Sequence, residues 1–164
     1  MKFTTRSVVT ALGVATLMVA SAAVVFFARH HDSRPVSVEE ASAEFAELQS
    51  RFVNQHPLLD MRERRARDGT ASRTAAPLHA FHTVIFDTRG GERLVRVTAP
   101  YWLARSFARH DGEFRWLGEL TFFDDTEFDP EAIELTLSQI ERHGPGLLID
   151  YRHVSGGRFI AWVD

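Results

Sequence analysis

The sequence has 164 residues, a one-domain length, and contains no cysteine, so disulfides, thiolate zinc sites and cysteine nucleophiles are excluded. A hydrophobic fraction of 45% with 25% charged residues is the balance of a folded protein, which excludes disorder of the whole chain. The first 28 residues hold two of the 19 basic residues, Lys2 and Arg6, and none of the 22 acids, so the remainder carries a net charge of −5. A domain of that sign is a poor candidate for nucleic acid, where a basic face supplies most of the affinity.

Lys2 is the only lysine; the Arg- and Ala-rich composition reads as coding bias and not as a site. Residues 1–6 form a short tail, expected in the cytoplasm. Ser7 to Ala28 then runs for 22 residues without a charge. As a helix this run is about 33 Å long, matching the hydrocarbon thickness of a bilayer. The hydroxyls of Ser7, Thr10, Thr16 and Ser21 can bond back to helix carbonyls. Phe26 and Phe27 close the run and Arg29, His30 and His31 follow, the change expected at a membrane–water boundary.

The run is therefore read as an uncleaved signal anchor, with the lipid bilayer as its partner and the C-terminal domain outside the cytoplasm. A cleaved signal peptide is the competing reading. Ala20-Ser21-Ala22 offers a small-x-small site, but the apolar run continues past it through Phe27. Ala11 and Ala15 form a small-xxx-small pair, read as ordinary composition.

Residues 29–36 read as a polar linker containing Pro35. Ser37-Val38-Glu39-Glu40 is a capping box, with Val36 placed to staple against Ala41. Ala41, Phe45, Leu48 and Phe52 follow at helical spacing, and Pro57 must lie outside, which predicts a helix from Val38 to Asn54. Residues 61–77 are aperiodic and Arg-rich, diluted by Glu63 and Asp68, and read as a mobile loop.

Leu78 to Thr88 and Leu94 to Ala99 read as a hairpin around Gly90-Gly91, with Pro100 ending the second strand. Tyr101, Trp102, Leu103 and Phe107 suggest a helical turn with an aromatic face. His110-Asp111-Gly112 reads as a turn, and Phe114 to Phe123 as a third strand.

Two parses follow the acidic turn Asp124 to Pro130. In one, Asp129 caps a helix reaching His143. In the other, which we prefer, Ile133 to Leu137 is extended and Ser138 opens a capping box with Glu141. Gly144 and Pro145 stop that helix. Leu147 to Val154 and Arg158 to Val163 form a closing hairpin, the apolar last strand being expected inside the sheet or paired on its polar edge. The fold class is α+β: a transmembrane helix, then residues 37–164 as a small domain. That domain has about five mainly antiparallel strands, one long helix and one or two short ones.

The candidate chemistry is sparse. His79 and His82 form an H-x-x-H pair, but in a strand an odd offset sends them to opposite faces, which argues against shared metal ligation. Asp125, Glu127 and Asp129 alternate like a calcium loop. Pro130 stands where that loop needs glycine and Thr136 where it needs glutamate, so a solvated acidic turn is the better reading. His30 and His31 beside the membrane are open to a pH-sensing role, a general capacity of histidine, and are read instead as polar headgroup contacts. No nucleophile elbow or phosphate-binding glycine loop is present. Tyr101, Trp102, Phe107, Phe114 and Trp116 are read mainly as core.

The Ser37 capping box, the LVRVTAPYWLAR stretch from Leu94 and SQIERHGPGLLID from Ser138 together resemble a group of short bacterial membrane-anchored proteins whose activity is not known. The likeness runs from Val36 onward and its motifs are structural, so it implies a real domain and no activity. The leading expectation is thus a non-enzymatic extracytoplasmic binding or accessory domain at the bacterial inner membrane, with an envelope protein partner and without catalytic, cofactor or metal residues. The alternatives are a tethered hydrolase, drawing on His79, His82, Asp87, Asp150 and His153, and a membrane-bound sensor with a cytoplasmic domain.

Overall fold

The computed structural model describes residues 31–61, 65–66, 76–89, 91–108, 113–114 and 135–164. The expected tail, the anchor Ser7–Ala28, most of the Arg-rich loop, the turn at residues 110–112, the strand beyond Phe114 and the acidic turn all lie outside these residues. Among the described residues no helix is long and apolar enough to cross a membrane.

The domain is α+β. In chain order its elements are β1 (His31–Pro35), α1 (Val38–Ser50), β2 (Leu59–Asp60), β3 (Arg65–Ala66), β4 (Ala80–Asp87) and β5 (Arg93–Pro100). They continue with α2 (Tyr101–Ala108), β6 (Glu113–Phe114), β7 (Leu135–Thr136), α3 (Leu137–His143), β8 (Gly146–Arg152) and β9 (Arg158–Val163). One sheet takes the order β1-β5-β4-β9-β8-β2-β3, and β6 pairs with β7 in a separate ladder. The large sheet is mixed: Leu59 of β2 pairs parallel to Ile149 of β8, and its other neighbours are antiparallel.

Of the two expected places for the apolar β9, the structure shows the interior one, between β4 and β8. Both of its faces are covered, which accounts for its nearly unbroken apolar run. Phe159, Ala161 and Val163 pack with Phe81, Ile85 and Ala99 against Leu58, Tyr101, Leu135 and Ile140. Ile160 packs on the other face with Val84, Phe86, Leu94 and Leu147, beneath Ala41, Phe45 and Leu48 of α1. A bulge between Leu147 and Ile149 turns both Leu148 and Ile149 into the first of these cores.

The start of α1 agrees with the capping box. Ser37 Oγ accepts from Glu40 N at 3.2 Å, and Glu40 Oε2 accepts from Ser37 N at 3.2 Å. Val36 and Ala41 are both buried in the same core, completing the staple. The helix ends at Ser50, four residues before the expected Asn54. There the bonding tightens to i→i−3, from Arg51 N to Leu48 O and from Phe52 N to Gln49 O, and again from Gln55 N to Phe52 O. The tightened turn lays Phe52 against Trp162, ring centroids 5.9 Å apart, and lets Gln55 Oε1 accept from Leu147 N at 3.0 Å.

Two further boundaries differ from expectation. His31–Pro35, read as linker, is an edge strand on β5, with His31 opposite Val97 and Pro35 opposite Arg93. Its polar residues and terminal proline suit an edge, where one side of the strand faces water. Buried Val36, bonded to Glu92 O at 2.9 Å, holds its end in place. The second capping box opens at Thr136, not Ser138. Thr136 Oγ1 accepts from Gln139 N, and Gln139 Oε1 accepts from Thr136 N at 2.8 Å. Leu135 is 1% exposed and pairs with Phe114, which keeps the backbone extended up to Thr136 and sets the cap there. Gly144 ends α3 as expected, with φ of 74° and ψ of −168°, a positive-φ conformation open to glycine but outside the left-handed helical region.

Candidate functional site

The period of two along β4 turns His82 and Val84 toward α1. Register then brings Thr98 of β5 and Trp162 of β9 directly opposite His82, one on each side. This cross-strand row floors a cleft of about 300 Å³ between the sheet and the second half of α1. Glu44, Glu47 and Arg51 form its helix wall, and Arg96 and Asp164 close its sides.

His82 is held on three sides. Its ring stacks on Trp162 with centroids 4.9 Å apart and planes inclined by 12°. Nδ1 lies 3.2 Å from Thr98 Oγ1, and Nε2 lies 3.0 Å from Asp164 Oδ2. Asp164 is itself fixed by the start of β4: its Oδ1 accepts from Ala80 N at 3.1 Å, and its backbone N–H donates to Ala80 O. The carboxylate is an acceptor only, so Nε2 carries the proton facing it. In the neutral imidazole Thr98 donates to Nδ1; in the imidazolium Nδ1–H donates to Thr98. The hydroxyl rotor serves in either role.

Beside it, Glu44 gathers two strands. Arg34 Nη2 of β1 donates to Glu44 Oε2 at 2.9 Å, and Arg96 of β5 donates to Glu44 Oε1 through both Nε, at 2.8 Å, and Nη2. The Glu44 side chain is only 12% exposed while both arginines are about half exposed. Each such pair contributes about 1 kcal/mol or less; together they fix the angle of α1 over the cleft. Glu47 pairs with Arg51 one helical turn on, at 3.0 Å.

The five residues considered for a hydrolase are spread over the molecule. His79 is exposed one residue before β4, where its N–H donates to Asp164 O and its carbonyl accepts from Tyr101 N. Asp87 lies at the other end of β4, on the face away from His82, and accepts from Arg89 N at 2.9 Å. Asp150 accepts from Gln49 Nε2 at 2.8 Å, two residue positions along the sheet from the His82 row. His153 bonds Ser155 Oγ at 2.6 Å in the last turn. Only His82 lines the cleft, and the residues gathered round it, Thr98, Asp164, Arg96 and Glu44, were not singled out from the sequence. The acidic 125–129 segment and His30 lie outside the described residues. Among the described residues no three histidine, aspartate or glutamate side chains converge as a metal ion requires.

Of the aromatic group, Tyr101 is core, stacked on Phe81 at 5.4 Å, with its hydroxyl donating to Glu141 Oε1 at 2.8 Å. Burial first, and then the Glu141 carboxylate, push its phenol well above the ordinary range. Trp102 departs from the core expectation and is 64% exposed. The side chains of Phe107, Phe114 and Trp116 lie outside the description.

The fold and the cleft define an α+β domain with a mixed sheet and a helix-walled polar groove. Comparison with family models, with curated proteins and with solved structures finds no match for this chain.

Proposed function

We propose that the chain is a single-pass, membrane-anchored binding domain of a bacterial envelope complex. It is held outside the cytoplasm by Ser7–Ala28 and meets its partner through the α1–sheet cleft. The uncharged run supports the tether, because lipid is the solvent that suits 22 residues without a charge. The observation that carries the binding role is the row Thr98–His82–Asp164 in a cleft where each carboxylate is already paired. Glu44 is held by Arg34 and Arg96, Glu47 by Arg51, and Asp164 by His82. Paired groups of both signs make a fixed set of donors and acceptors, suited to orienting a polar segment of a partner.

A second reading is supported by the same row. Carboxylate, imidazole and hydroxyl in that order would let His82 act as base toward Thr98 in a tethered hydrolase.

Photo-crosslinking from the cleft tests the proposal. A photoreactive residue at Glu47, whose side chain is 71% exposed, is expected to give one defined protein adduct in cells. His82→Ala should abolish that adduct, and a photoreactive residue at Val154, 99% exposed in the far turn, should not form it. An adduct indifferent to His82→Ala, or the same adducts from both positions, contradicts the binding role. Hydrolysis of acyl substrates that Thr98→Val removes, with the adduct retained, would favour the second reading.

A further inference from the structure

Three peptide steps separate Ala28, the end of the uncharged run, from His31, the start of β1. Fully extended they span about 11 Å. The edge of the sheet therefore begins within that distance of the proposed bilayer boundary. Pairing fixes which end of the sheet this is. His31 lies opposite Val97, so the His31 end of β1 lies at the end of the sheet where β5 finishes at Pro100, β4 starts at Ala80 and β9 finishes at Val163. The turns at 88–92 and 153–157 lie at the opposite end, about 25 Å away for strands of this length.

The near end carries large apolar side chains in water. Trp102, in the first turn of α2, is 64% exposed, and Val53, in the turn after α1, is 76% exposed. Arg105 is exposed one helical turn from Trp102. An indole beside a guanidinium is the chemistry of a headgroup layer: the ring sits among glycerol and carbonyl groups while the cation reaches phosphate. The Thr98–His82–Trp162 row and Asp164 lie at this same end.

We propose that the Trp102 end of the sheet rests on the bilayer surface, with Trp102 and Val53 in the headgroup layer and the His82 cleft held beside the membrane. Val154 then stands away from it. The inference rests on Ser7–Ala28 being a membrane anchor, and adds an orientation that a tether alone does not impose.

The absence of cysteine makes the test clean. Single-cysteine variants Trp102→Cys, Val53→Cys, Val154→Cys and Val14→Cys of the full chain are spin-labelled and reconstituted into phosphatidylcholine–phosphatidylglycerol vesicles. Collision with oxygen, which concentrates in lipid, is compared with collision with a water-soluble nickel chelate. The expected result is a Val14 label deep in lipid, and Trp102 and Val53 labels several-fold less accessible to nickel and richer in oxygen contact than the Val154 label. Labels at Trp102 and Val53 as open to nickel as that at Val154, with the Val14 label still in lipid, overturn the orientation and leave the anchor standing. Protection from both reagents means a protein contact and also overturns it. A water-exposed Val14 label overturns anchor and orientation together.

Discussion

Phe45→Ala is expected to lower the stability of the domain by about 3–5 kcal/mol, the usual cost of removing a buried phenylalanine. Phe45 is fully buried at the centre of α1, between Ala41 and Leu48, and faces Val84, Phe86 and Ile160 of the sheet. Its ring also lies 4.5 Å beneath the Arg158 guanidinium, a cation over an aromatic face. Burial already lowers the pKa of Arg158, and its Nε has no hydrogen-bond partner among the described residues. Removing the ring leaves that group beside a void as well as the cavity itself. Small domains hold about 5–15 kcal/mol in total, so a loss of this size moves a large share of the urea midpoint. Phe45→Leu, which refills most of the volume, should lose far less. Equal midpoints for wild type and Phe45→Ala would mean that α1 is not what covers this face.

Gly146→Ala is the second large effect, expected at about 3 kcal/mol. Gly146 has φ of 152°, a backbone region nearly reserved for glycine, and forcing another residue there costs about 1–3 kcal/mol. A Cβ would also lie 2.8 Å from Gln55 Oε1 and 3.2 Å from His143 Nε2. Gln55 could swing away only by giving up its bond from Leu147 N, about another 1 kcal/mol. His143, whose pKa burial lowers, presents a buried Nε2 to the same Cβ. Paired with Gln55→Ala, the steric part should shrink while the backbone part remains. Urea unfolding of the two single variants and the double reads both parts, and a Gly146→Ala midpoint like that of wild type contradicts the account.

Local signals in the sequence were legible where one residue's chemistry decides the backbone. Ser37 with Glu40, Val36 against Ala41, Gly144 at the end of α3 and the 80–100 hairpin all follow from such signals. The elements that differ from expectation are those decided by distant partners. His31–Pro35 is polar and ends in proline, and becomes a strand because β5 supplies a ladder and Val36 a buried foot. Ser138 and Thr136 both head a plausible capping box; the pairing of Leu135 with Phe114 selects Thr136. The cleft was the least legible part. In the sequence His82 stands out only by its spacing from His79, a neighbour it does not work with. Its actual partners, Thr98 and Asp164, lie 16 and 82 positions away in the chain. They meet only through the β5–β4–β9 order, and nothing local in the sequence declares that order.

The tether underlies both the proposed function and the orientation. Its most direct measurement is alkaline carbonate washing of membranes from cells making the full chain, with mass spectrometry of the protein's N-terminal region. The account predicts that the chain stays in the membrane pellet with Ser7–Ala28 still attached. A chain released to the supernatant with its first residues intact, or one that begins after Ala22, would contradict it.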